Sequence, residues 1–456
     1  MLIIVSDIHL GDGTCGRTIS ENAFHLFSNR LRELAYNASW RTDGGYRPLK
    51  EIDVLMLGDI FDIQHSTLWL EKADGEAQRT RPWSDPNAPE YAQTLQAITR
   101  AILANNAGSV RVFKNMTAGK AITLPPANLS GRPTRFALVR QPVKVNLYYM
   151  VGNHDWYFHL PGPAFDAVRA EIIQALGLAN EPGPFPHEVK DSPKLQALLD
   201  EYEVHAQHGD LYDRFNYLPE KGRNAASIGD VFAVELLNRF PLEVERQLKN
   251  DLPAGFTDSL RMLVNIRPSL AAPLWISSHL RQNNVSPQVQ KRLKALWNQL
   301  AEECLSTPYL RSLNRKNKLD LIDSLNAVVR LTSRFSFKTI DDLVLWARKN
   351  FGSAQGSFAS HALTEEAFLN RRARFIVYGH THHHEVVPLD TSPEGTKAGS
   401  QLYMNSGTWH TYYDLAIHQP REQKFIPYQV LTYLTFYQGD ERGGRRFETW
   451  SGSFSD

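Results

Sequence analysis

The chain has 456 residues, of which 42% are hydrophobic and 11% aromatic, so it has enough apolar material for a large core and for more than one domain. Its 50 basic and 49 acidic residues nearly cancel, so the net charge of +1 gives no overall reason to expect nucleic acid or an acidic partner. The two cysteines, Cys15 and Cys304, are too few for a disulfide framework or a cysteine-based metal site.

The amino-terminal residues show no targeting segment. The apolar run at residues 2–5 begins at once, with no basic region and no long apolar region before it. No stretch approaches the roughly 20 apolar residues that cross a bilayer. We therefore expect a cytoplasmic protein with reduced thiols and no transmembrane segment, which leaves peripheral membrane contact open. The sequence indicates no oligomeric state.

Short apolar runs alternate with helix-like segments along much of the chain. The spacing of apolar residues predicts helices over residues 20–37, with Ser20 as the N-cap, and over residues 163–176. Strands are predicted at residues 2–5, 52–57, 143–151, 203–207, 375–378 and 402–404. The tail at residues 424–438 is predicted to form closing, antiparallel strands. Alternating strands and helices indicate a layered α/β architecture.

Two insertions interrupt this alternation. The first, at about 66–142, contains a polar loop with prolines, a helix near 91–105 and an irregular stretch. The second, at 219–370, is predicted to be mostly helical, with helical spacing at residues 231–248, 286–304, 319–332 and 341–349. We expect residues 1–218 and 371–456 to form the core and the second insertion to form a cap or subdomain; a remote structural extension is the alternative.

Six short motifs rich in Asp, His and Asn lie at or near the ends of these predicted strands. Such side chains bind hard or borderline divalent metals. In α/β sheets, ligands gather at the carboxyl ends of the strands, so the motifs predict a metal site there. They are Asp7-Ile8-His9, Gly58-Asp59-Ile60-Phe61-Asp62, Gly152-Asn153-His154-Asp155, His208-Gly209-Asp210, Gly379-His380-Thr381-His382 and Asn405-Ser406-Gly407-Thr408.

The spacing within the motifs favours two neighbouring cations. Asp7 and His9 are two residues apart, so in extended backbone both side chains would lie on the same side and bind one metal. Asp59 has two carboxylate oxygens and can bridge cations about 3.5–4 Å apart. Asn153 offers a neutral oxygen, which limits negative charge near an anionic phosphate. Further imidazoles come from His208, His380 and His382.

With these motifs the chain resembles the calcineurin-like metallophosphoesterases, whose pattern is D-x-H, G-D-x-x-D, G-N-H-D/E, a later His and G-H-x-H. The resemblance covers about 1–66, 143–215 and 374–410. It implies a four-layer α/β/β/α sandwich, here with a large helical insertion. It also implies two divalent ions (Mn, Fe or Zn), one held by Asp7, His9, Asp59 and His382, the other by Asp59, Asn153, His208 and His380.

The same resemblance implies how the site acts on a phosphoester. Hydroxide activated by the dinuclear centre attacks phosphorus, while His154, which is not a metal ligand in this family, contacts a phosphoryl oxygen or protonates the leaving alkoxide. Asp62 or Asp155 could orient that imidazole by a second-shell hydrogen bond. Arg214, six residues after His208, is a candidate contact to the substrate phosphate, with a surface salt bridge as the alternative.

Several polar residues near the motifs have no assigned chemistry. Asp12, Asp210 and Asn405 could support the ligands or could serve in turns and caps. His65 and His410 lack motif support, so we predict packed or surface histidines at both positions.

The resemblance predicts hydrolysis of a phosphodiester, phosphomonoester or pyrophosphate bond without choosing among them. Protein serine/threonine phosphatases of the family continue G-D-x-x-D with Arg-Gly, whereas this chain has Ile63-Gln64. This difference argues against a protein phosphatase. The motifs S-D-I-H-L-G and L-G-D-I-F-D are similar to those of bacterial UDP-2,3-diacylglucosamine pyrophosphate hydrolases, which are much shorter. A lipid-linked substrate would need an exposed apolar groove. The apolar residues at 264–280 could supply such a groove; packing in the protein core is the alternative explanation for them.

Two other functions remain as alternatives at this point. A nuclease of the same family would need a basic groove, so nucleic acid is a less favoured substrate. The candidate cations, which helix-surface charges explain equally well, are Arg311, Arg315, Lys316, Lys318, Arg371, Arg372 and Arg374. A catalytically inactive interaction protein on the same fold would be expected to lose ligands, and this chain retains all of them.

Overall fold

A computed structural model of the chain describes residues 1–72, 74–267, 272–314, 357–391, 399–416 and 424–455. The protein is a mixed α/β structure, as the alternating pattern predicts. Within the described part of the chain, no helix is long and apolar enough to cross a membrane. The predicted segments at 319–332 and 341–349 lie outside the described residues, as do Arg315, Lys316 and Lys318.

Each of the seven predicted apolar runs coincides with a strand, and the described residues contain six further strands that the sequence does not predict. In chain order they are β1 (Leu2–Val5), β2 (Glu51–Leu57), β3 (Thr123–Leu124), β4 (Gln141–Pro142), β5 (Lys144–Met150), β6 (Val204–Ala206), β7 (Ile266–Arg267), β8 (Phe375–Tyr378), β9 (Glu385–Asp390), β10 (Gln401–Asn405), β11 (His410–Leu415), β12 (Phe425–Phe436) and β13 (Phe447–Phe454).

The helices of the described residues all lie between these strands along the chain. In chain order they are α1 (Glu21–Ala38), α2 (Pro89–Asn105), α3 (Ala107–Thr117), α4 (Pro163–Leu176), α5 (Pro193–Glu201), α6 (Ile228–Phe232), α7 (Arg239–Leu248), α8 (Phe256–Arg261), α9 (Ala272–Gln282), α10 (Pro287–Leu305), α11 (Pro308–Asn314), α12 (Ala359–Ala362) and α13 (Glu366–Leu369). A π-helical stretch, Ala233–Asn238, joins α6 to α7.

Two sheets carry parallel strands whose carboxyl ends matter for the site. The larger sheet, as described, has the order β5-β2-β1-β12-β11-β7, and β13 pairs with β12. Strands β1, β2 and β5 are parallel, while β12 is antiparallel to β1, which confirms the antiparallel tail. The smaller sheet has the order β6-β8-β10-β9, with β6, β8 and β10 parallel.

Alternation along β1 sends its side chains into two separate cores. Ile3 and Val5 belong to a core that includes the apolar faces of α1 to α4. Leu2 and Ile4 belong to a second core, which also holds residues of β6, β8 and β10. The larger sheet is therefore covered on one side by helices and on the other by the smaller sheet.

Helix α1 begins and packs as its sequence predicts. The Ser20 hydroxyl accepts a hydrogen bond from the Asn22 amide, which satisfies one free donor of the first turn. Phe24, Phe27 and Leu31 lie on one face and are completely buried. Their burial anchors the helix to the larger sheet.

The first insertion contains more helix than the sequence indicates. Residues 107–117 form α3, where an irregular stretch is expected. Asn106 ends α2 and begins α3 without a side-chain cap, and β-branched Val110 and Val112 weaken the helical signal. Burial of Val112 and Phe113 in the first core stabilises α3, so tertiary packing overrides local preference.

The second insertion has its own apolar core among the described residues. Helices α6 to α11 bury side chains such as Phe240, Leu260 and Trp297 in one cluster. Residues 272–280 belong to this cluster through Trp275 and Ile276, so core packing accounts for the apolar positions of that segment. Helices α12 and α13 instead pack on the smaller sheet, in a cluster with residues of β8 and β10.

Candidate metal centre

The polar motifs meet where the carboxyl ends of the two sheets meet. Asp59 follows β2 in the larger sheet, and His208 follows β6 in the smaller sheet. Nε2 of His208 lies 3.1 Å from Oδ2 of Asp59. The amide of His380, which follows β8, donates to Oδ2 of Asp7 at 3.1 Å. Strand ends from both sheets therefore build one site.

The first group of potential ligands consists of Asp7, His9, Asp59 and His382. One ligand atom from each lies within 4.8 Å of the others. Nε2 of His382 lies 3.2 Å from Oδ1 of Asp7. Nε2 of His9 lies 3.9 Å from Oδ2 of Asp59. This is the set that the resemblance implies for one metal.

The second group consists of Asp59, His208 and His380, whose ligand atoms also lie within 4.8 Å of one another. Oδ1 of Asn153 lies 3.2 Å from Nε2 of His208 and 2.9 Å from Nδ1 of His380. Asp59 is common to both groups, so its carboxylate lies between two clusters of nitrogen and oxygen donors.

Two local features fit bound cations. Oδ1 of Asp7 is buried, and Nε2 of His382 lies 3.2 Å from it without meeting the geometry of a hydrogen bond. Nε2 of His9 lies only 3.0 Å from Nε2 of His382, and two lone pairs that face each other at this distance repel unless a proton or a metal ion lies near both. A buried carboxylate oxygen is costly without positive charge nearby, and a cation at this position would offset that cost.

The pKa shifts in the second group of ligands also fit a bound cation. Burial opposes ionisation of Asp59, but His208 and His154 hold the pKa of Asp59 well below its usual range. Burial lowers the pKa of His208, but the charges of Asp59 and Asp7 outweigh it and raise that pKa well above its ordinary value. The buried carboxylates thus strongly favour positive charge at this position.

Hydrogen bonds hold the histidine rings so that the other nitrogen faces the site. Nδ1 of His208 donates to the carbonyl of Leu57 at 2.9 Å, which leaves Nε2 as the ligand atom. Nε2 of His380 lies 3.2 Å from Oδ2 of Asp213, which leaves Nδ1. Such outer partners fix ring orientation in metal sites.

A similar partner orients His382, whose Nδ1 lies 2.6 Å from the Tyr412 hydroxyl. Sequence analysis missed both Asp213 and Tyr412. Asp213 lies five residues after His208, outside any motif, and Tyr412 lies on β11, 30 residues after His382. The topology alone brings them to the ligands.

The backbone of the ligand loops is strained. Asp7, His9 and Asp59 have φ of 53°, 50° and 54°, and His380 and His382 have φ of 66° and 59°. This left-handed conformation is uncommon for residues other than glycine, and such strain clusters at functional sites. The extended backbone expected at Asp7 and His9 is therefore wrong. Both side chains still join one ligand group, because the chain turns immediately after β1.

Two glycines leave the space that the ligands occupy. A Cβ on Gly152 would lie 2.3 Å from Oδ1 of Asp59 and 2.7 Å from Nε2 of His208. A Cβ on Gly58, whose φ is +81°, would lie 2.4 Å from Nδ1 of His208. Any larger residue at either position would displace a ligand, which gives the G-D and G-N-H motifs a physical reason for their glycines.

His154 lies beside the first ligand group. Its Nδ1 donates to Oδ1 of Asp62 at 2.8 Å, its amide donates to Oδ1 of Asp59 at 2.8 Å, and its Nε2 lies 4.0 Å from Oδ2 of Asp59. Burial lowers the pKa of His154, but Asp59 and Asp62 outweigh it and raise that pKa to about 9. His9, Asp62 and His154 also lie close enough together to hold a cation.

Asp62 and Asp155, the two predicted supporting carboxylates, do different things. Asp62 contacts the His154 imidazole directly. Asp155 instead accepts hydrogen bonds from the Gly152 amide at 2.6 Å, the Ile60 amide at 2.8 Å and the Tyr149 hydroxyl at 2.6 Å. Burial and the charge of Asp59 raise the pKa of Asp155 to about 6. It joins the loops after β2 and β5.

The Asn405 side chain anchors the loop around His380. The amide group of Asn405 donates to the Gly379 carbonyl at 2.7 Å, and Oδ1 of Asn405 accepts from the Gly407 amide at 3.0 Å. Asp12, in the loop after β1, accepts hydrogen bonds from the Thr14 amide and the Ser66 hydroxyl.

The predicted basic residues that the structure describes make no hydrogen bond or ion pair with the ligand residues. Arg214 is exposed and makes no hydrogen bond or ion pair with the described residues. Arg223, which the sequence does not single out, lies 3.2 Å from Oδ2 of Asp210. Arg371 pairs with Asp390. Ion pairing thus accounts for Arg371 as it does for Arg372, which lies 3.7 Å from Oδ1 of Asp200.

Two histidines without motif support line the site. The ring of His65 stacks on that of His154, with centroids 5.2 Å apart and an interplanar angle of 8°. The ring centroid of His410 lies 5.2 Å from that of His9. Both side chains are buried, which selects the packed histidine from the two predicted alternatives, but they lie beside the ligands rather than in an apolar core. Their positions at the end of a loop and the start of β11 give no sequence signal.

No protein-family model matches the chain, and no curated protein matches it.

Proposed function

We propose that this protein is a metal-dependent phosphoesterase of the calcineurin-like type, which hydrolyses a phosphodiester, phosphomonoester or pyrophosphate bond. The observation that carries the proposal is the pair of ligand groups that share Asp59. Two donor clusters joined by one carboxylate are the arrangement that two-metal hydrolases use. The donor set of imidazole, carboxylate and amide oxygen accepts Mn, Fe or Zn.

The distribution of buried residues supports the four-layer sandwich that such a function implies. Helices α1 to α4 cover one face of the larger sheet, the smaller sheet covers the other face, and α12 and α13 cover the smaller sheet. In this arrangement both sheets present their carboxyl ends to the same site. The helical cluster of the second insertion lies in a separate apolar core, as a subdomain would.

The ligands of the two proposed metals follow from the two groups. Asp7, His9, Asp59 and His382 would hold one ion, and Asp59, Asn153, His208 and His380 the other. When bound, two divalent ions supply Lewis acidity that ionises water near neutral pH and neutralises charge on a phosphoryl group. Neutral Asn153 completes the second group without adding negative charge where an anionic substrate binds.

His154 is the proposed catalytic residue of the chain itself. Asp62 accepts a hydrogen bond from its Nδ1, so in the imidazolium form the second proton, on Nε2, is left for the substrate. From there the imidazole can donate to a phosphoryl oxygen or protonate the leaving alkoxide. With an exposed side-chain fraction of 17%, it is the less buried partner of the pair and remains open to a ligand.

The other functions receive less support from the structure. Arg371 and Arg372 pair with carboxylates, so they do not form a free basic groove for nucleic acid. An inactive binding protein would have no need for strained backbone at five ligand residues.

A substrate panel tests the proposal. Purified protein is stripped with EDTA, reloaded with manganese and assayed on p-nitrophenyl phosphate, bis-p-nitrophenyl phosphate, a nucleoside diphosphate derivative and single-stranded DNA. We expect hydrolysis of at least one substrate after reloading and none before it. Absence of hydrolysis of every substrate by metal-loaded protein would contradict the proposal, and hydrolysis of DNA alone would favour the nuclease.

A further inference from the structure

The loop between β3 and β4, residues 125–140, exposes large apolar side chains to an unusual degree. Leu129, Phe136, Leu138 and Val139 are each at least 81% exposed. The other large apolar side chains exposed among the described residues reach at most 68%, at Leu369. Concentration of exposed apolar side chains in one segment, rather than their single occurrence, marks an interaction surface.

This loop is tied to the body of the protein at its base. Thr123 and Leu124 pair with Pro142 and Gln141 as β3 and β4. Within the loop, the Gly131 carbonyl accepts a hydrogen bond from the Tyr46 amide at 2.8 Å. Its backbone is therefore held in place while its apolar side chains remain in water, an arrangement that costs free energy unless the side chains are covered.

The loop is also basic in a chain that is nearly neutral. Residues 91–154 contain eight lysines and arginines and no aspartate or glutamate. Within the loop, Arg132, Arg135 and Arg140 have no carboxylate partner among the described residues. Arg132 lies over the Trp40 ring at 5.7 Å, and Arg140 donates to the Thr123 hydroxyl at 3.1 Å. The positive charges therefore remain available to an anionic partner.

We propose that the loop at residues 125–140 docks the protein peripherally on a lipid bilayer that carries anionic headgroups. The apolar side chains enter the boundary between headgroups and acyl chains, and the arginines bind lipid phosphates. Interfacial binding of this kind combines buried apolar area with electrostatic attraction to anionic lipids.

Lipid fits the composition of the loop better than nucleic acid does. Proteins that bind single strands without sequence preference stack bases on aromatic rings. Of the four exposed side chains only Phe136 is aromatic, while Leu129, Leu138 and Val139 are aliphatic and offer no such platform. Aliphatic side chains do gain free energy on entry into hydrocarbon.

Vesicle co-sedimentation of the full-length protein tests this proposal. The vesicles are phosphatidylcholine alone or phosphatidylcholine with about one third phosphatidylglycerol, at about 0.15 M salt. We expect sedimentation with the anionic vesicles and weak sedimentation with the neutral ones. The double variant Phe136→Ser/Leu138→Ser should reduce the partition coefficient at least tenfold, and Arg132→Gln/Arg135→Gln should reduce it by about fivefold for each charge removed.

Matched variants separate this loop from general surface effects. Leu369→Ser, which removes an exposed apolar side chain elsewhere, and Lys190→Gln, which removes an exposed charge elsewhere, should leave sedimentation unchanged. Circular dichroism checks that each variant is folded. Equal sedimentation of wild type and both loop variants overturns the proposal, as does no sedimentation of the wild type. Binding of labelled single-stranded DNA that depends on the arginines, without vesicle binding, assigns the loop to nucleic acid instead.

Discussion

Nδ1 of His154 lies 2.8 Å from Oδ1 of Asp62, which connects the G-N-H motif of one loop to the last residue of the G-D-x-x-D motif of another. The contact holds the imidazole at a fixed angle and leaves Nε2 free toward the ligand groups. Asp62 therefore orients His154, whereas Asp155 holds the loops after β2 and β5 together.

Replacing His154 with Gln should lower turnover by about 10²–10⁴-fold, the usual contribution of a general acid or base. Asp62→Asn should lower it by about 10–100-fold, because the ring loses its orienting partner but keeps its own chemistry. Metal content of His154→Gln, measured by mass spectrometry, should stay near that of wild type. The matched control is Asp74→Asn, at an exposed carboxylate. Unchanged turnover in His154→Gln would remove this residue from the mechanism.

Asp59→Asn should abolish hydrolysis and metal binding together. The carboxylate is common to both ligand groups, and an amide lacks both the charge and the second anionic oxygen needed to bridge two cations. Isothermal titration with Mn²⁺ measures the loss, with Asp74→Asn again as the control. Two ions bound with wild-type affinity in Asp59→Asn would show that the carboxylate does not bridge.

Gly152→Ala should impair the site although it removes no ligand. The added Cβ would lie 2.3 Å from Oδ1 of Asp59, so either the carboxylate or the loop must move. We expect weaker metal binding and at least a tenfold loss of activity. Gly183→Ala provides the control, because nothing lies within 4 Å of its added Cβ. If the two variants behave alike, close approach of Gly152 to the ligands is not important.

Glu365 should make stability depend on pH in the acid range. Burial raises its pKa, but contacts with His205, Tyr212 and Tyr378 outweigh this and lower the pKa of Glu365 to about 2. A lowered folded-state pKa adds stability above the unfolded value near 4.5, and this stability is lost as pH falls toward 2.

Urea unfolding of metal-stripped wild type and Glu365→Gln at several pH values checks this expectation. Wild type should be more stable at pH 6, and the difference in free energy of unfolding should shrink as the pH falls from about 4.5. A difference that stays constant with pH would mean that ionisation of Glu365 contributes nothing.

The sequence predicts the strands and the convergence of the ligands well, for a simple physical reason. Short apolar runs that end at turn residues, such as residues 2–5 and 375–378, favour buried strands, and parallel strands place their carboxyl ends together. Asp7 and His380 therefore meet across two sheets although they are hundreds of residues apart. Ligand residues at strand ends can be recognised from the sequence because many of them directly follow an apolar run.

What the sequence misses depends on long-range topology and local strain. Tyr412 and Asp213 orient ligands but lie outside the motifs, so only the folded chain brings them near His382 and His380. The left-handed backbone at Asp7 and His9 is imposed by the loop and is invisible to residue spacing. The exposed loop at residues 125–140 lies in an insertion whose apolar residues follow no periodic pattern. The sequence therefore cannot show whether these side chains are buried in a core or exposed at the surface.

Two cations held through Asp59 are proposed to carry out the hydrolysis. The most direct measurement is the rate at which metal-stripped protein hydrolyses bis-p-nitrophenyl phosphate, p-nitrophenyl phosphate and a nucleoside diphosphate derivative as Mn²⁺ is added in known equivalents. We expect activity on at least one of these substrates that rises until two equivalents are bound per chain and stays absent in Asp59→Asn. No activity on any of the three substrates at saturation, or full activity at one equivalent or less, would contradict the proposed function.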